Sequence, residues 1–246
     1  MVVGLRPPSV TVLGCSGSYP GPGGACSGYL VRGGGTTLWL DAGSGTLANL
    51  QRHVDLHDVD AVVLSHEHPD HWSDVEGFRV ACQHVVRRSG VPVYGTSGLA
   101  ERLLPDAGPA LEWQTVADGD DVEVGALRVR FSRTDHPPET LAVRVDADGR
   151  SLAYSADTGP GWSFEALGTG IDLALCEATY LADREGTLGG HLSARQAGAM
   201  ARDAGVERLV LTHVWPVVDP ARSRDEGGAA FGRPVEMAEL HAELQL

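Results

Sequence analysis

Short apolar runs recur along the chain, and most end in a polar or small residue. Strand-like runs lie near 9–14, 27–31, 36–41, 59–65 and 91–95. A second set lies near 112–117, 121–125, 127–134, 140–146, 151–156, 171–177 and 208–213. Leu127-Arg128-Val129-Arg130-Phe131 alternates with period two, the spacing that sends successive side chains to opposite faces of a sheet. Asp146-Ala147-Asp148-Gly149 reads as a hairpin turn. Helical patterns fit 44–53, 72–88, 96–104 and 193–204, with Ser193 as a candidate cap for the last. Strands with interspersed helices predict an α/β domain. No Pro/Gly/Ser-rich linker and no low-complexity run divides 1–246, which reads as a single domain. The final stretch, 221–246, is broken by Pro234 and gives no clear element.

Composition narrows the classes. A chain of 246 residues can bury one substantial core. The start of the sequence lacks the apolar stretch of a signal peptide, and no window approaches a membrane span, so a cytoplasmic protein without membrane partners is expected. Cys15, Cys26, Cys82 and Cys176 lack C-x-x-C spacing, which argues against a Cys-rich zinc site or a disulfide framework. All 19 basic residues are arginine, which excludes Schiff-base lysine chemistry and the P-loop lysine. The net charge of −14 disfavours a duplex or tRNA partner, because such partners call for a basic stripe, and Arg87-Arg88 is the only basic pair. A small anionic substrate suits an acidic exterior around a pocket made positive by bound cations.

The chemistry concentrates in His66-Glu67-His68-Pro69-Asp70-His71, directly after the apolar run Asp60-Ala61-Val62-Val63-Leu64-Ser65. Imidazole and carboxylate are ligands of divalent transition metals. On extended backbone His66 and His68 point to one side and can share an ion. Pro69 redirects the chain before Asp70 and His71. A tetrahedral catalytic site keeps one of about four positions open, so the cluster reads as two adjacent ions. His66 and His68 serve one, Asp70 and His71 the other. Further ligand candidates sit just past other strands: His136 after 127–134, Asp157 after 151–156 and His213 after 208–213. Strand ends hold side chains rigidly while the loops beyond stay open to substrate.

The order His66-x-His68-x-Asp70-His71, His136, Asp157, His213 resembles the metallo-β-lactamase superfamily from Thr11-Val12-Leu13-Gly14 to His213. The resemblance implies a four-layer αββα sandwich with the site at one edge of two sheets. It also implies that His66, His68 and His136 hold a first metal, that Asp70, His71 and His213 hold a second, and that Asp157 bridges them. Zinc is the first expectation for the two divalent ions, and manganese or iron fits the same donors.

Two further motifs, Cys176-Glu177-Ala178-Thr179 and His191-Leu192-Ser193, look like those of the ribonuclease Z branch. By that resemblance His191 protonates a leaving oxygen and Glu177 fixes its tautomer; in the expected mechanism Asp70 orients the nucleophile besides binding metal. The branch's long basic arm is missing where it is commonly found. His136 and Asp157 are 21 positions apart, filled by a simple hairpin. The chain therefore looks closer to the compact cyclic-nucleotide phosphodiesterases, with Ser27-Gly28-Tyr29-Leu30, Tyr154-Ser155-Ala156-Asp157-Thr158-Gly159 and Leu211-Thr212-His213 in agreement.

The expected activity is hydrolysis of a small phosphodiester, such as cyclic AMP, by a hydroxide held between the two metals. Ser18, Ser155 and Thr179 are candidate phosphate donors, and Trp72 and Trp215 candidate walls for a base. Rival readings are a ribonuclease Z-like tRNA endonuclease, an ester or lactone hydrolase, and a non-catalytic metal-binding interaction protein. Relatives are often homodimers, but no residue pattern here identifies an interface.

Overall fold

Two seven-stranded sheets are built from these runs. The computed structural model describes residues 7–103 and 108–246. Residues 1–6 of the leading segment and Leu104, the last residue of the predicted helix 96–104, lie outside the described residues.

The first sheet contains β1 (Ser9–Gly14), β2 (Gly28–Gly33), β3 (Thr36–Ala42), β4 (Ala61–Val63), β5 (Val91–Gly95) and β6 (Leu111–Thr115). The second contains β7 (Asp121–Val124), β8 (Leu127–Arg133), β9 (Leu141–Ala147), β10 (Arg150–Tyr154), β11 (Leu173–Glu177), β12 (Arg208–Thr212) and β13 (Glu236–Met237). A last strand, β14 (Glu243–Gln245), returns to the edge of the first sheet beside β1. The orders are β14-β1-β2-β3-β4-β5-β6 and β13-β12-β11-β10-β9-β8-β7. The strand expected near 112–117 thus closes the first sheet, pairing in parallel with β5.

Alternation sorts side chains into three apolar layers. Val10, Val12, Tyr29, Val31, Leu38 and Leu40 of the first sheet face Val129, Phe131, Val143, Val145, Leu152 and Leu175 of the second. The intervening residues of the first sheet, among them Leu30, Trp39 and Val62, pack outward on Leu50, Val75, Phe78 and Leu99. These last come from α1 (Thr46–Leu50), α3 (Val75–Ala81) and α4 (Ser97–Leu103). Ala153, Ala174, Cys176, Leu209 and Leu211 of the second sheet pack outward on Ala194, Ala197, Ala201 and Phe231. Those belong to α5 (Ala194–Asp203) and α6 (Pro220–Phe231). The architecture is the expected αββα sandwich. Central strands are apolar on both faces because both are covered, which is why they read as near-continuous apolar runs. Each fully buried Val, Leu or Phe contributes roughly 1.5–3 kcal/mol. The layer between the sheets therefore fixes their spacing and the placement of whatever leaves their ends.

Several local readings change. The helix expected over 72–88 divides into α2 (Pro69–Trp72), α3 and a wider π-type turn at Cys82–Val86. Asp74 sits at the break, and its carboxylate accepts a hydrogen bond from the Leu47 amide. Ser193 caps α5 as expected, in a reciprocal capping box with Gln196. The hairpin joins Ala147 to Arg150 across Asp148 and Gly149, both with positive φ (50° and 76°), as a type I′ turn requires. The stretch 221–246 supplies most of α6, then β13 and β14. Asp219 caps α6, Gly232 ends it in the left-handed conformation, and Pro234 lies in the short connection to β13. All four cysteines are free. Among the described residues no helix is long and apolar enough to cross a membrane.

Candidate metal centre

β3, β4, β8, β10, β11 and β12 run in the same sense within their sheets, so their polar successors emerge at one edge. After β4 the chain bends at Glu67 and His68, the latter with extended φ/ψ (−72°, 134°), and Pro69 then opens α2 in the first helical position, where its missing N–H is no loss. That places His66 and His68 on one arm and Asp70 and His71 on the first turn of the next.

All seven predicted donors converge. His66 Nε2 and His136 Nε2 lie 3.0 and 3.1 Å from His68 Nδ1. Asp157 Oδ2 is 3.6 Å from His66 Nε2 and 3.9 Å from His136 Nε2. Its other oxygen, Oδ1, lies 3.3 Å from both His71 Nε2 and His213 Nε2. Asp70 Oδ2 completes that second group, 3.3 Å from His213 Nε2 and 3.5 Å from His71 Nε2. One carboxylate thus turns one oxygen to each group.

The donors fit divalent cations. Asp157 Oδ1 is buried and makes no hydrogen bond, a rare state for a buried carboxylate oxygen and one that a cation relieves. Ring nitrogens facing one another across about 3 Å cannot all carry protons. Burial, the largest cause, holds His66, His68 and His136 below the usual imidazole range, which leaves neutral ligands. The second group is more polarised. Burial pulls His71 down, but the charges of Asp157, Asp41 and Asp70 outweigh it and raise its pKa well above the usual range. Burial raises Asp70 and Asp157, yet the facing imidazoles drive both well below the usual carboxylate range.

The next shell orients these rings. His71 Nδ1 donates to Asp41 Oδ2 at 2.7 Å, which points its Nε2 at the second group. His136 Nδ1 donates to the Gly190 carbonyl at 2.6 Å. A Cβ on Gly190 would sit 2.8 Å from that same nitrogen, so glycine permits this approach. His213 Nδ1 lies 3.0 Å from Thr179 Oγ1. Asp41 (φ 54°), His213 (φ 52°) and Ala156 (φ 50°), which precedes Asp157, are all non-glycine residues in the left-handed region. Such backbone is costly and persists where the surroundings over-determine it.

Beside the first group, His191 Nδ1 is 3.0 Å from Glu177 Oε1 and 4.0 Å from Asp157 Oδ2. Burial lowers the His191 pKa, but the hydrogen bond and charge of Glu177 prevail and lift it to about 9.

Lesser candidates fare differently. The Ser18 amide donates to Asp70 Oδ2 at 2.9 Å, and Ser18 Oγ accepts from Trp215 Nε1 at 3.0 Å. Trp215 is therefore tied through one residue to the donor cluster. Trp72 instead packs against the outer apolar layer of the first sheet, its indole N–H donating to the Glu67 carbonyl. Ser155 Oγ is spent inside the fold, donating to the Ala156 carbonyl and accepting from the Glu177 amide. Thr179 Oγ1 donates to Glu177 Oε2 at 2.7 Å. Asp41, Tyr154 and Gly190 are the contributors that the sequence reading missed.

A family profile described as the β-lactamase superfamily domain matches residues 36–214. The chain belongs to the metallo-β-lactamase superfamily. Within it, Mycobacterium tuberculosis protein Rv1339 is 39% identical over 248 residues, covering 95% of this chain and 89% of its own length. The "Probable metallo-hydrolase YhfI" of Bacillus subtilis is 32% identical, with 93% and 96% covered. The crystal structure of YhfI superimposes with a TM-score of 0.92 at 29% identity, covering 98% of this chain and 100% of its own. A ribonuclease Z of Methanopyrus kandleri is 30% identical, with 89% and 91% covered. Membership of this metallo-hydrolase family, with the donor cluster above, makes the chain a metal-dependent hydrolase.

Proposed function

We propose that this hydrolase is a phosphodiesterase for small phosphodiesters, with a 3′,5′-cyclic nucleotide such as cyclic AMP as its substrate. The observation that carries the reading is the clamped His191–Glu177 pair beside the bridging carboxylate of Asp157. An alkoxide leaving from phosphorus needs a proton, and this pair offers one next to the donor cluster.

His66, His68 and His136 would hold one divalent cation and Asp70, His71 and His213 a second, with Asp157 offering one oxygen to each group. Zinc suits the donors best; manganese or iron would use the same set. Bound there, the cations supply Lewis-acid activation of water and of the phosphoryl oxygens. The chain's own residues do the rest. Asp70 accepts the Ser18 amide on the oxygen that faces His213, which fixes its tilt and lets it align the attacking solvent oxygen. Glu177 holds His191 Nδ1, so Nε2 is the nitrogen turned to substrate. That nitrogen would give its proton to the sugar 3′ oxygen as the P–O3′ bond breaks, while the oxygen of a water bonds to phosphorus; the proton that water releases passes to solvent, from which His191 is reprotonated. The product is the 5′-monophosphate. Trp215 offers an aromatic surface for the base.

Size and charge support a small substrate. The 21 positions from His136 to Asp157 are used by β9, its two-residue turn and β10, with no arm to grip a tRNA. The chain as a whole carries a net charge of −14. A ribonuclease reading has the Methanopyrus relative behind it. Parallel assays on bis-p-nitrophenyl phosphate, cyclic AMP, a precursor tRNA and a p-nitrophenyl ester separate the possibilities. The proposal expects turnover of the first two, and turnover of only the tRNA or only the ester would overturn it.

A further inference from the structure

The donor groups draw on both sheets. His71 follows β4 in the first sheet, whereas Asp157 and His213 follow β10 and β12 in the second. Something must hold the His71 ring in register with side chains from the opposite sheet.

Asp41 Oδ2 accepts three hydrogen bonds: His71 Nδ1 at 2.7 Å, Tyr154 OH at 2.8 Å and Ser65 Oγ at 2.9 Å. Asp41, Ser65 and His71 all belong to the first sheet or to the segments that follow its strands, Asp41 in β3, Ser65 after β4 and His71 in α2. Tyr154 is the last residue of β10 in the second sheet and is the only donor from that sheet to this carboxylate among the described residues. The phenol crosses the interior at 1% exposure, and its ring rests 5.1 Å from that of Tyr29. Three residues beyond Tyr154 the same segment delivers Asp157. One short stretch of chain therefore carries the bridging carboxylate and also holds the carboxylate that aims His71.

We propose that Tyr154 is a positioning residue for the cation held by Asp70, His71 and His213: through Asp41 it sets the His71 ring against the donors of the opposite sheet. Its hydroxyl also lies 3.5 Å from His71 Nδ1, too long for a strong hydrogen bond beside the 2.8 Å bond to Asp41, so its hold on the ring runs through that carboxylate. Its removal leaves Asp41 tethered only to its own sheet and lets the His71 ring rotate. The rings of His66, His68 and His136 make no direct hydrogen bond to Tyr154 or Asp41 among the described residues; His66 Nδ1 meets Asp41 only through Ser65 Oγ, 3.0 Å away, so this group provides an internal reference for loss of the Tyr154 hydroxyl. This inference rests on reading the two donor groups as cation cages.

The test is zinc titration of metal-free protein against a chromophoric chelator, for wild type, Tyr154→Phe, Asp41→Asn and the double variant. Wild type binds two ions with resolvable affinities. Tyr154→Phe should weaken one of them roughly 10–100-fold, the scale of lost support behind a metal ligand, and leave the other unchanged. Asp41→Asn should weaken the same ion, and adding Tyr154→Phe to it should change little, because the phenol acts through that carboxylate. Unchanged binding in Tyr154→Phe, equal loss of both ions, or additive effects in the double variant would overturn the inference. Should Tyr154→Phe fail to fold, Asp41→Asn decides: it must weaken one ion and spare the other. Wild-type protein that binds no zinc instead defeats the cage reading itself.

Discussion

Glu177 holds Nδ1 of His191 at 3.0 Å with a carboxylate that is fully buried. Four more hydrogen bonds reach the same carboxylate, from the Thr158, Thr179 and Leu192 amides and from the Thr179 hydroxyl. Such a carboxylate cannot swing away, so the imidazole it grips has one orientation. His191→Ala should leave metal content unchanged while slowing turnover roughly 10²–10⁴-fold, the range for a lost general acid. Metal analysis and kcat on one preparation check this. Loss of metal would make His191 a ligand instead.

With His191 in the proposed role of acid, Glu177 also sets the pH range. A general acid works only while protonated, so the rate should fall as pH rises through the pKa of His191. Removing the charge with Glu177→Gln weakens the force that raises that pKa and should move the alkaline limb of kcat to lower pH. A limb that stays in place assigns it to another group.

Stability of the metal-free protein carries the same sign. His191 has a folded pKa of about 9 against a reference of 6.5. A group with a raised folded pKa stabilises fully below the unfolded value and loses that contribution as pH climbs through the folded one. Chelated wild type should therefore lose stability between about pH 6.5 and 9 relative to His191→Gln. Thermal melts across that window compare the two, and parallel curves would remove His191 as the cause.

Cation binding should release protons. In the metal-free state three carboxylates hold His71 protonated against the pull of burial, yet a metal ligand must be neutral. Zinc added to weakly buffered chelated protein at neutral pH should liberate roughly one proton per chain. His71→Ala should abolish the release, and an unchanged release would place the proton elsewhere.

Much of this was legible because strand ends in a covered sheet are rigid and polar residues there are conspicuous. His66, His68, Asp70, His71, His136, Asp157 and His213 all stand just past apolar runs. Asp41 obeys the same rule, after Leu38-Trp39-Leu40, and was open to the same reasoning. Tyr154 was hidden because a strand tyrosine looks like core, and only the distance across the sheets reveals its hydroxyl partner. β14 was beyond local reading, since its pairing with β1 joins the two ends of the described chain. The division of the 72–88 helix falls at Asp74, whose carboxylate accepts from the Leu47 amide, again a contact between distant segments.

Gly190 offers a geometric check. Its φ is 79°, and a side chain there would bring its Cβ within 2.8 Å of His136 Nδ1, which leaves no room for one. Gly190→Ala should cost about 1–2 kcal/mol in stability and weaken one cation, the one held by His66, His68 and His136. Unaltered binding of both ions would show that His136 does not need this carbonyl.

The most direct measurement is metal content and cyclic AMP turnover on the same sample, for wild type and Asp157→Ala. Two equivalents of divalent metal in wild type are predicted, with 5′-AMP formed, activity lost on chelation and restored by adding metal back. Asp157→Ala should lose most of both. Full turnover in Asp157→Ala with two ions still bound would contradict the central claim that one carboxylate joins two cation cages into a hydrolytic centre.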